Sequence, residues 1–415
     1  MSKPSKILTR RTILRAGAAA AALPIAAPFI VEARGETPVK IGFIDPFSGT
    51  YGVLGGYELN GARMALAEIN KKGGILGRPV EIIPEDDAAD VGKATVKFHK
   101  LVEKDKVNFI SGSVSSAVSL ALSHAANLKG ILFVDTGGHV DSVTGQHCHW
   151  TTFKICSDTW MLANAISKTL ISKFGKRWYI STPDYAWGHF LEAGFAALLK
   201  QNGGTLLGNA LMPLGSTDFS SVLIKVQAAK PEVFIVLQGG DDFVDLMKQA
   251  TQFGMTKKMA FGYGLVEFEN LAALPEAARV GWGVMEWWWD QPKNPHVTAF
   301  VAKYRKLYAK TPSARSWFGY VAMHTIAMGA AKAKSLNSIK VAHAIEGMEL
   351  PPELALGPYP ISYRAGDHQM LLTEFVGEVS STGKYPYLFD VKETIPGAKL
   401  AKSPAAKGCK LTYPA

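Results

Sequence analysis

From Pro38 onward the chain alternates short apolar runs with amphipathic stretches of helical period. Residues 39–44 read as a buried strand, and 55–69 as a helix that turns Ala62, Met64, Ala65, Leu66 and Ile69 inward. Gly73 and Gly74 then end that helix, as glycines do at a C-cap. The same spacing predicts strands at 80–84, 107–110 and 131–134, with helices at 93–105 and 116–128. The rhythm restarts after Cys156, with helices at 159–174, 189–202, 220–229 and 243–253 and strands at 178–182, 205–212, 233–237 and 258–262. Residues 283–345 return to strand and helix, ending in helices at 321–333 and 339–346, and 359–392 is β-rich around a Gly366-Asp367-His368 turn. Strict alternation implies parallel strands with crossover helices: an α/β fold of doubly wound sheets. The chain has 415 residues, more than one hydrophobic core serves, and no low-complexity linker divides it. Two lobes joined through strands are therefore expected.

The first 35 residues break the pattern. Thr9-Arg10-Arg11-Thr12-Ile13-Leu14-Arg15 precedes an alanine-rich apolar run to Ile30 and a small-residue site near Ala33-Arg34-Gly35. This reads as an export signal of the twin-arginine type, placing the mature chain in the periplasm. The run is shorter than the ~20 apolar residues a membrane span needs. An NTP-using enzyme is disfavoured in that compartment. Residues 1–35 carry six basic groups and one acid, so their removal lowers the net charge from +10 to +5. That is an ordinary surface and not the footprint of a nucleic-acid partner. Of the three cysteines, Cys148 and Cys156 lie in what reads as one extended segment, ~25 Å apart at strand rise. Cys409 is the better disulfide partner for one of them. No CxxC or HxxxH spacing suggests a metal, and no phosphate loop or GxGxxG motif suggests a cofactor.

Several motifs occur in a telling order: Phe47-Ser48-Gly49, Gly55, Asn60-Gly61-Ala62, the block from Glu68-Ile69-Asn70 through Gly73-Gly74-Ile75 to Gly77-Arg78-Pro79, Glu85-Asp86-Asp87, Gly112-Ser113-Val114-Ser115-Ser116, Trp187-Gly188 and Asp218-Phe219-Ser220. Together they resemble the periplasmic substrate-binding proteins of branched-chain (hydrophobic) amino acid ABC transporters, over about 38–390. The resemblance implies a type I periplasmic binding fold: two Rossmann-like lobes joined by three crossovers, near 153–157, 283–287 and 356–358. The signal occupies 1–35, lobe 1 takes 36–155 plus 284–356, lobe 2 takes 156–283 plus 357–390, and 391–415 is a C-terminal tail.

The ligand should sit at the carboxyl ends of the strands, where loops meet helix N-termini. Ser115 and Ser116 open a helix there; taken alone they are N-cap residues, but the resemblance makes them a cradle for a ligand carboxylate. Gly137, Gly138 and His139 follow the next strand, His139 standing where relatives commonly carry Ser or Thr. Trp187 and Asp241 stand where amino-acid binders often have tyrosine. Tyr263 precedes Gly264, about where those binders place an acid to pair with the ligand ammonium, with Asp241 or Glu267 as nearby substitutes. Trp287, Trp288 and Trp289 should alternate on a strand, at least one facing the cleft and one the core.

These readings point to a monomeric solute receptor without cofactor or metal. It would close on a small-molecule carboxylate, plausibly aromatic, and deliver it to ABC transporter membrane permease subunits. A branched-chain amino acid or amide ligand is the alternative, and an exported Rossmann-type oxidoreductase the rival from another class. Changing Arg10 and Arg11 together to lysine should leave precursor in the cytoplasm. Cell fractionation that finds normal periplasmic delivery would point instead to the general secretory route.

Overall fold

The computed structural model describes residues 37–414; the arginine pair and the rest of the segment read from the sequence as an export signal lie outside them. The first lobe is built on a parallel sheet of β1 (Val39–Asp45), β2 (Val80–Asp86), β3 (Phe109–Gly112), β4 (Phe133–Asp135) and β5 (Thr152–Lys154), in the order β2-β1-β3-β4-β5. Helices α1 (Gly52–Lys71), α2 (Val91–His99) and α3 (Ser116–Lys129) connect these strands.

The second lobe begins at α4 (Thr159–Phe174), capped by the Asp158 side chain, which accepts from Met161 N at 2.9 Å. It continues through β6 (Arg177–Pro183), α5 (Ala186–Gln201), β7 (Thr205–Met212), α6 (Ser220–Ala229), β8 (Val233–Val236), α7 (Gly240–Gln252), β9 (Ala260–Tyr263), α8 (Phe268–Ala273) and β10 (Trp282–Met285). The chain then forms α9 (Pro295–Tyr308), α10 (Ala314–Ala333), α11 (Ser338–Ile345) and α12 (Pro352–Ala355) before β11 (Thr373–Val379) and β12 (Phe389–Pro396). The second sheet runs β12-β11-β10-β9-β8-β6-β7, parallel except for its last two strands.

Helices α4 and α6 and strand β7 stand at the bounds the pattern predicts. Helices α1, α5 and α7 start three residues earlier than the pattern predicts, at Gly52, Ala186 and Gly240. Two lobe assignments differ from the sequence reading. Residues 357–370 are expected in lobe 2, yet Gln369 bridges to Lys154 of β5 and Ser362 to Glu349, so this stretch finishes the edge of lobe 1. The boundary at 390/391 falls inside β12, which pairs with β11 along its length. No helix among the described residues is long and apolar enough to cross a membrane.

Helix α10 returns from the second crossover to pack on α1 at backbone distance. A Cβ on Gly61 would lie 1.8 Å from Ser316 O, and one on Gly319 would lie 1.9 Å from Glu58 O. These two glycines set the spacing of the helices, and so bring Glu58 beside Arg315 below the cleft.

Past β12 the chain folds back as a strap. Leu400 O accepts from Asn164 of α4, while Lys407 Nζ reaches Asp158 at 2.9 Å and Thr144 at 2.6 Å. Cys409 is bonded to Cys148, and Tyr413 OH donates to Glu346 at 2.6 Å. Cys148 lies in a turn before β5 and not in an extended segment, which leaves Cys156 buried and free. The crosslink closes a loop with a sequence separation of 261. Replacing Cys148 and Cys409 together with serine should cost about 2–5 kcal/mol of stability. Thermal unfolding of the double variant reads this; an unchanged midpoint would mean that Lys407 and Tyr413 hold the strap without the crosslink.

Candidate functional site between the lobes

The loops at the carboxyl ends of both sheets face each other across a narrow cavity. Lobe 1 contributes Tyr51, Leu54, Val114, Ser116, His139 and Arg315; lobe 2 contributes Tyr185, Trp187, Gln238, Phe243, Leu265, Glu267 and Asn270. The lobes are closed on this space. The hydroxyls of Tyr51 and Tyr185 lie 2.6 Å apart, and the His139 ring meets Trp187 edge-on at 5.1 Å between centroids. Gly240 has φ +59°, and a Cβ there would lie 2.2 Å from Thr50 O, so glycine permits this approach.

Ser116 is the first residue of α3 and lines the cavity, beside the N–H groups that a helix start leaves unpaired. The loop before it is held by Asp45, whose Oδ1 accepts from Val114 N at 2.9 Å. Ser115 stands at the N-cap, but its hydroxyl caps nothing and lies buried without a hydrogen-bond partner. Gly137 and Gly138 sit behind the wall. A Cβ on Gly137 would strike Arg315, and one on Gly138 would strike Ser119. His139 lines the cavity, with Nε2 2.6 Å from Glu286, whose other oxygen accepts from Ser157 N at 2.7 Å. Trp187 also lines it, its ring fixed by Nε1 donating to Leu237 O at 2.8 Å.

Other residues singled out from the sequence do not reach the cavity. Asp241 is exposed on the first turn of α7. Tyr263 turns into the lobe 2 core and donates to Val280 O at 2.6 Å. Trp287 donates to Leu356 O, and all three tryptophans are buried away from the cleft, Trp288 against Phe268 and Phe389. The run lies beyond the end of β10, so strand alternation does not govern it. Gly264 also points inward, since a Cβ there would lie 2.6 Å from Leu191. The acid of this wall comes three residues later, at Glu267.

Glu267 is not free. Arg315 Nε and Nη2 donate to its Oε1 at 2.9 and 2.5 Å, while Nη1 donates to Glu58 at 2.9 Å. Thr136 donates to the other oxygen of Glu58. Burial opposes the charge of Arg315, but Glu267 and Glu58 outweigh it and hold the guanidinium well above its ordinary pKa. Burial raises Glu58, against the pull of Arg315. Asp45 is pushed well up by burial and then by Glu58 and Asp87. Asp135 rises to about 7 through burial that Lys154 only partly offsets. Arg315 escapes the motif reading, although a lone arginine in a 314–330 stretch with no other Lys, Arg, Asp or Glu signals a buried, paired charge.

The "Periplasmic binding protein" family model matches residues 38–384. The "Leu/Ile/Val-binding protein homolog 7" of Brucella suis is 25% identical, over 79% of this chain and 86% of that protein. A periplasmic binding protein from Burkholderia mallei has the same fold at TM-score 0.83 and 28% identity, covering 90% of this chain and 98% of its own. An ABC transporter solute-binding protein of R. palustris, solved in complex with benzoate, aligns at TM-score 0.80 and 20% identity over 90% of this chain and all (100%) of its own. The chain belongs to the periplasmic binding proteins, in the class that serves branched-chain amino acid ABC transporters. Members are periplasmic solute receptors, not enzymes.

Removing the buried cation should cost more than removing one acid. Arg315→Met strands Glu58 and Glu267 and should lose about 3–5 kcal/mol, whereas Glu267→Gln leaves Arg315 paired with Glu58 and should lose less. Denaturant unfolding of both variants checks the order; equal losses would mean that Glu58 contributes nothing to holding Arg315.

Proposed function

We propose that this receptor binds a small aromatic carboxylate in the interlobe cavity and presents it to ABC permease subunits. The observation that carries the reading is the state of Glu267. It is the one acid lining the cavity among the described residues, and two nitrogens of Arg315 already engage it. Both of those nitrogens bond to Oε1, so an α-ammonium group at Oε2 would share one carboxylate with a guanidinium that already balances its charge, and a desolvated cation without a full partner is costly. The walls suit a flat ring: Trp187, Tyr51, Tyr185 and Phe243 surround the space. The ligand carboxylate is assigned to the start of α3 at Ser116, with His139 beside it. Trp187 supplies the stacking face, and Ser115, Gly137 and Gly138 support the wall from behind. Asp241, Tyr263 and Trp287, which line no part of the cavity, are given no ligand contact. The benzoate held by the R. palustris protein supports the class of ligand.

A branched-chain amino acid is the second reading, favoured by the Leu/Ile/Val-binding relative and by the presence of any acid at Glu267. Calorimetry separates the two. Benzoate-type acids should bind in the micromolar range or tighter, about −8 kcal/mol, and leucine at best in the millimolar range, about −4 kcal/mol. Submicromolar leucine binding with no aryl acid bound would overturn the proposal and make Glu267 the ammonium partner.

A further inference from the structure

One polar atom of the cavity wall is both fully buried and without a partner. Gln238 follows β8 and is 4% exposed. Its Nε2 donates to Ser181 Oγ at 2.9 Å, which turns the amide so that Oε1 is left over. That oxygen is buried and accepts no hydrogen bond. Other buried side-chain atoms in the molecule lack partners too, but among the described residues Gln238 is the only one of them that lines the interlobe cavity.

Several donors of the wall are committed elsewhere, while Ser116 and the Asn270 side chain are not. Trp187 Nε1 donates to Leu237 O, the guanidinium of Arg315 turns to Glu267 and Glu58, and His139 Nε2 meets Glu286. The hydroxyls of Tyr51 and Tyr185 bond to each other. A buried acceptor without a donor is destabilising, so native sites seldom leave one without a purpose. Gln238 stands on lobe 2, while Ser116 and the start of α3 stand on lobe 1. A ligand whose carboxylate lies on α3 therefore directs its other end toward the lobe that holds this acceptor.

We infer that Gln238 is a specificity-determining residue that accepts a hydrogen bond from a donor at the end of the ligand remote from its carboxylate, which makes the ligand a hydroxylated aromatic acid. This rests on the proposed aromatic-acid reading. The chemistry is selective because a hydroxyl donates, whereas a hydrogen atom or a methoxy group at the same place does not. A site built around a polar partner rejects the analogue that lacks it more strongly than an apolar pocket rejects a mere change of size.

Calorimetry on the full mature chain tests this with 4-hydroxybenzoate, benzoate and 4-methoxybenzoate, and in parallel with tyrosine and phenylalanine. 4-Hydroxybenzoate should bind about tenfold or more tighter than either analogue, the equivalent of one hydrogen bond to an otherwise stranded acceptor. In Gln238→Met, which keeps the side-chain length and removes the amide, the three acids should converge. Should that variant not fold, the wild-type series alone decides. Equal binding of 4-methoxybenzoate and 4-hydroxybenzoate, or a preference that persists in Gln238→Met, overturns the inference. If no aryl acid binds, the aromatic-acid reading falls, and the role of Gln238 is then decided by the amino-acid pair. Tyrosine exceeding phenylalanine would uphold it, and the absence of any preference would overturn it.

Discussion

Arg315 is a full positive charge held almost out of water, and such a charge is tolerated only where carboxylates surround it at hydrogen-bond distance. Glu58 reaches it from α1 and Glu267 from the loop before α8, so one guanidinium ties a helix of lobe 1 to the wall of lobe 2. The pairing with Glu58 depends on backbone contact between α1 and α10, which Gly61 and Gly319 make possible. The pairing with Glu267 depends on lobe closure. Taking Arg315 away would leave Glu58 facing Asp45, which burial already drives toward its neutral form, and Glu267 facing Glu269.

A receptor that closes must draw its preference for the closed state from contacts that exist only there. Contacts between the lobes around the cavity include Tyr51 with Tyr185, His139 with Trp187, and Arg315 with Glu267, with Ser313 donating to Glu269 close by. The first two are an uncharged hydrogen bond and an aromatic edge contact, each modest in energy. The third exchanges hydration of two ions for their attraction, a trade that in proteins often comes near to balance. With contacts of this kind alone, closure has little reason to be strongly favoured, which leaves the decision to a ligand that touches both lobes.

The α/β alternation was legible in the chain because buried parallel strands leave continuous apolar runs and crossover helices leave a 3.6-residue period, signatures that need no partner to be seen. Helix α4 shows both of its ends in the sequence, as Asp158 before it and Gly175 after it. Ser116, His139 and Trp187, expected near the ligand from the family resemblance, do line the interlobe cavity. The charge network was not legible. Glu58 and Arg315 are 257 positions apart, and nothing local in either segment announces the other. Gly264 misled because a one-residue difference in a loop decides whether a side chain faces Leu191 or the cleft. The three tryptophans misled through a rule applied outside its domain, for the run begins where β10 has ended.

The polar groups of the cavity are divided between the lobes in a way that bears on closure. The open helix start at Ser116 belongs to lobe 1, and the stranded acceptor of Gln238 belongs to lobe 2. A ligand polar at one end only would satisfy one lobe and gain little from bringing the other toward it. A ligand polar at both ends would make its second bond only as the lobes meet, so its differential affinity for the closed state would be large. The same division sets a length requirement. A molecule too short to span from α3 to Gln238 would leave one group unpaired, and one too long would hold Tyr51 and Tyr185 apart. The rigidity of an aromatic ring suits that requirement, because it fixes the distance between its two polar ends at little conformational cost. Selection for ligand length and selection for closure are then the same physical event, read by two polar groups that belong to different lobes.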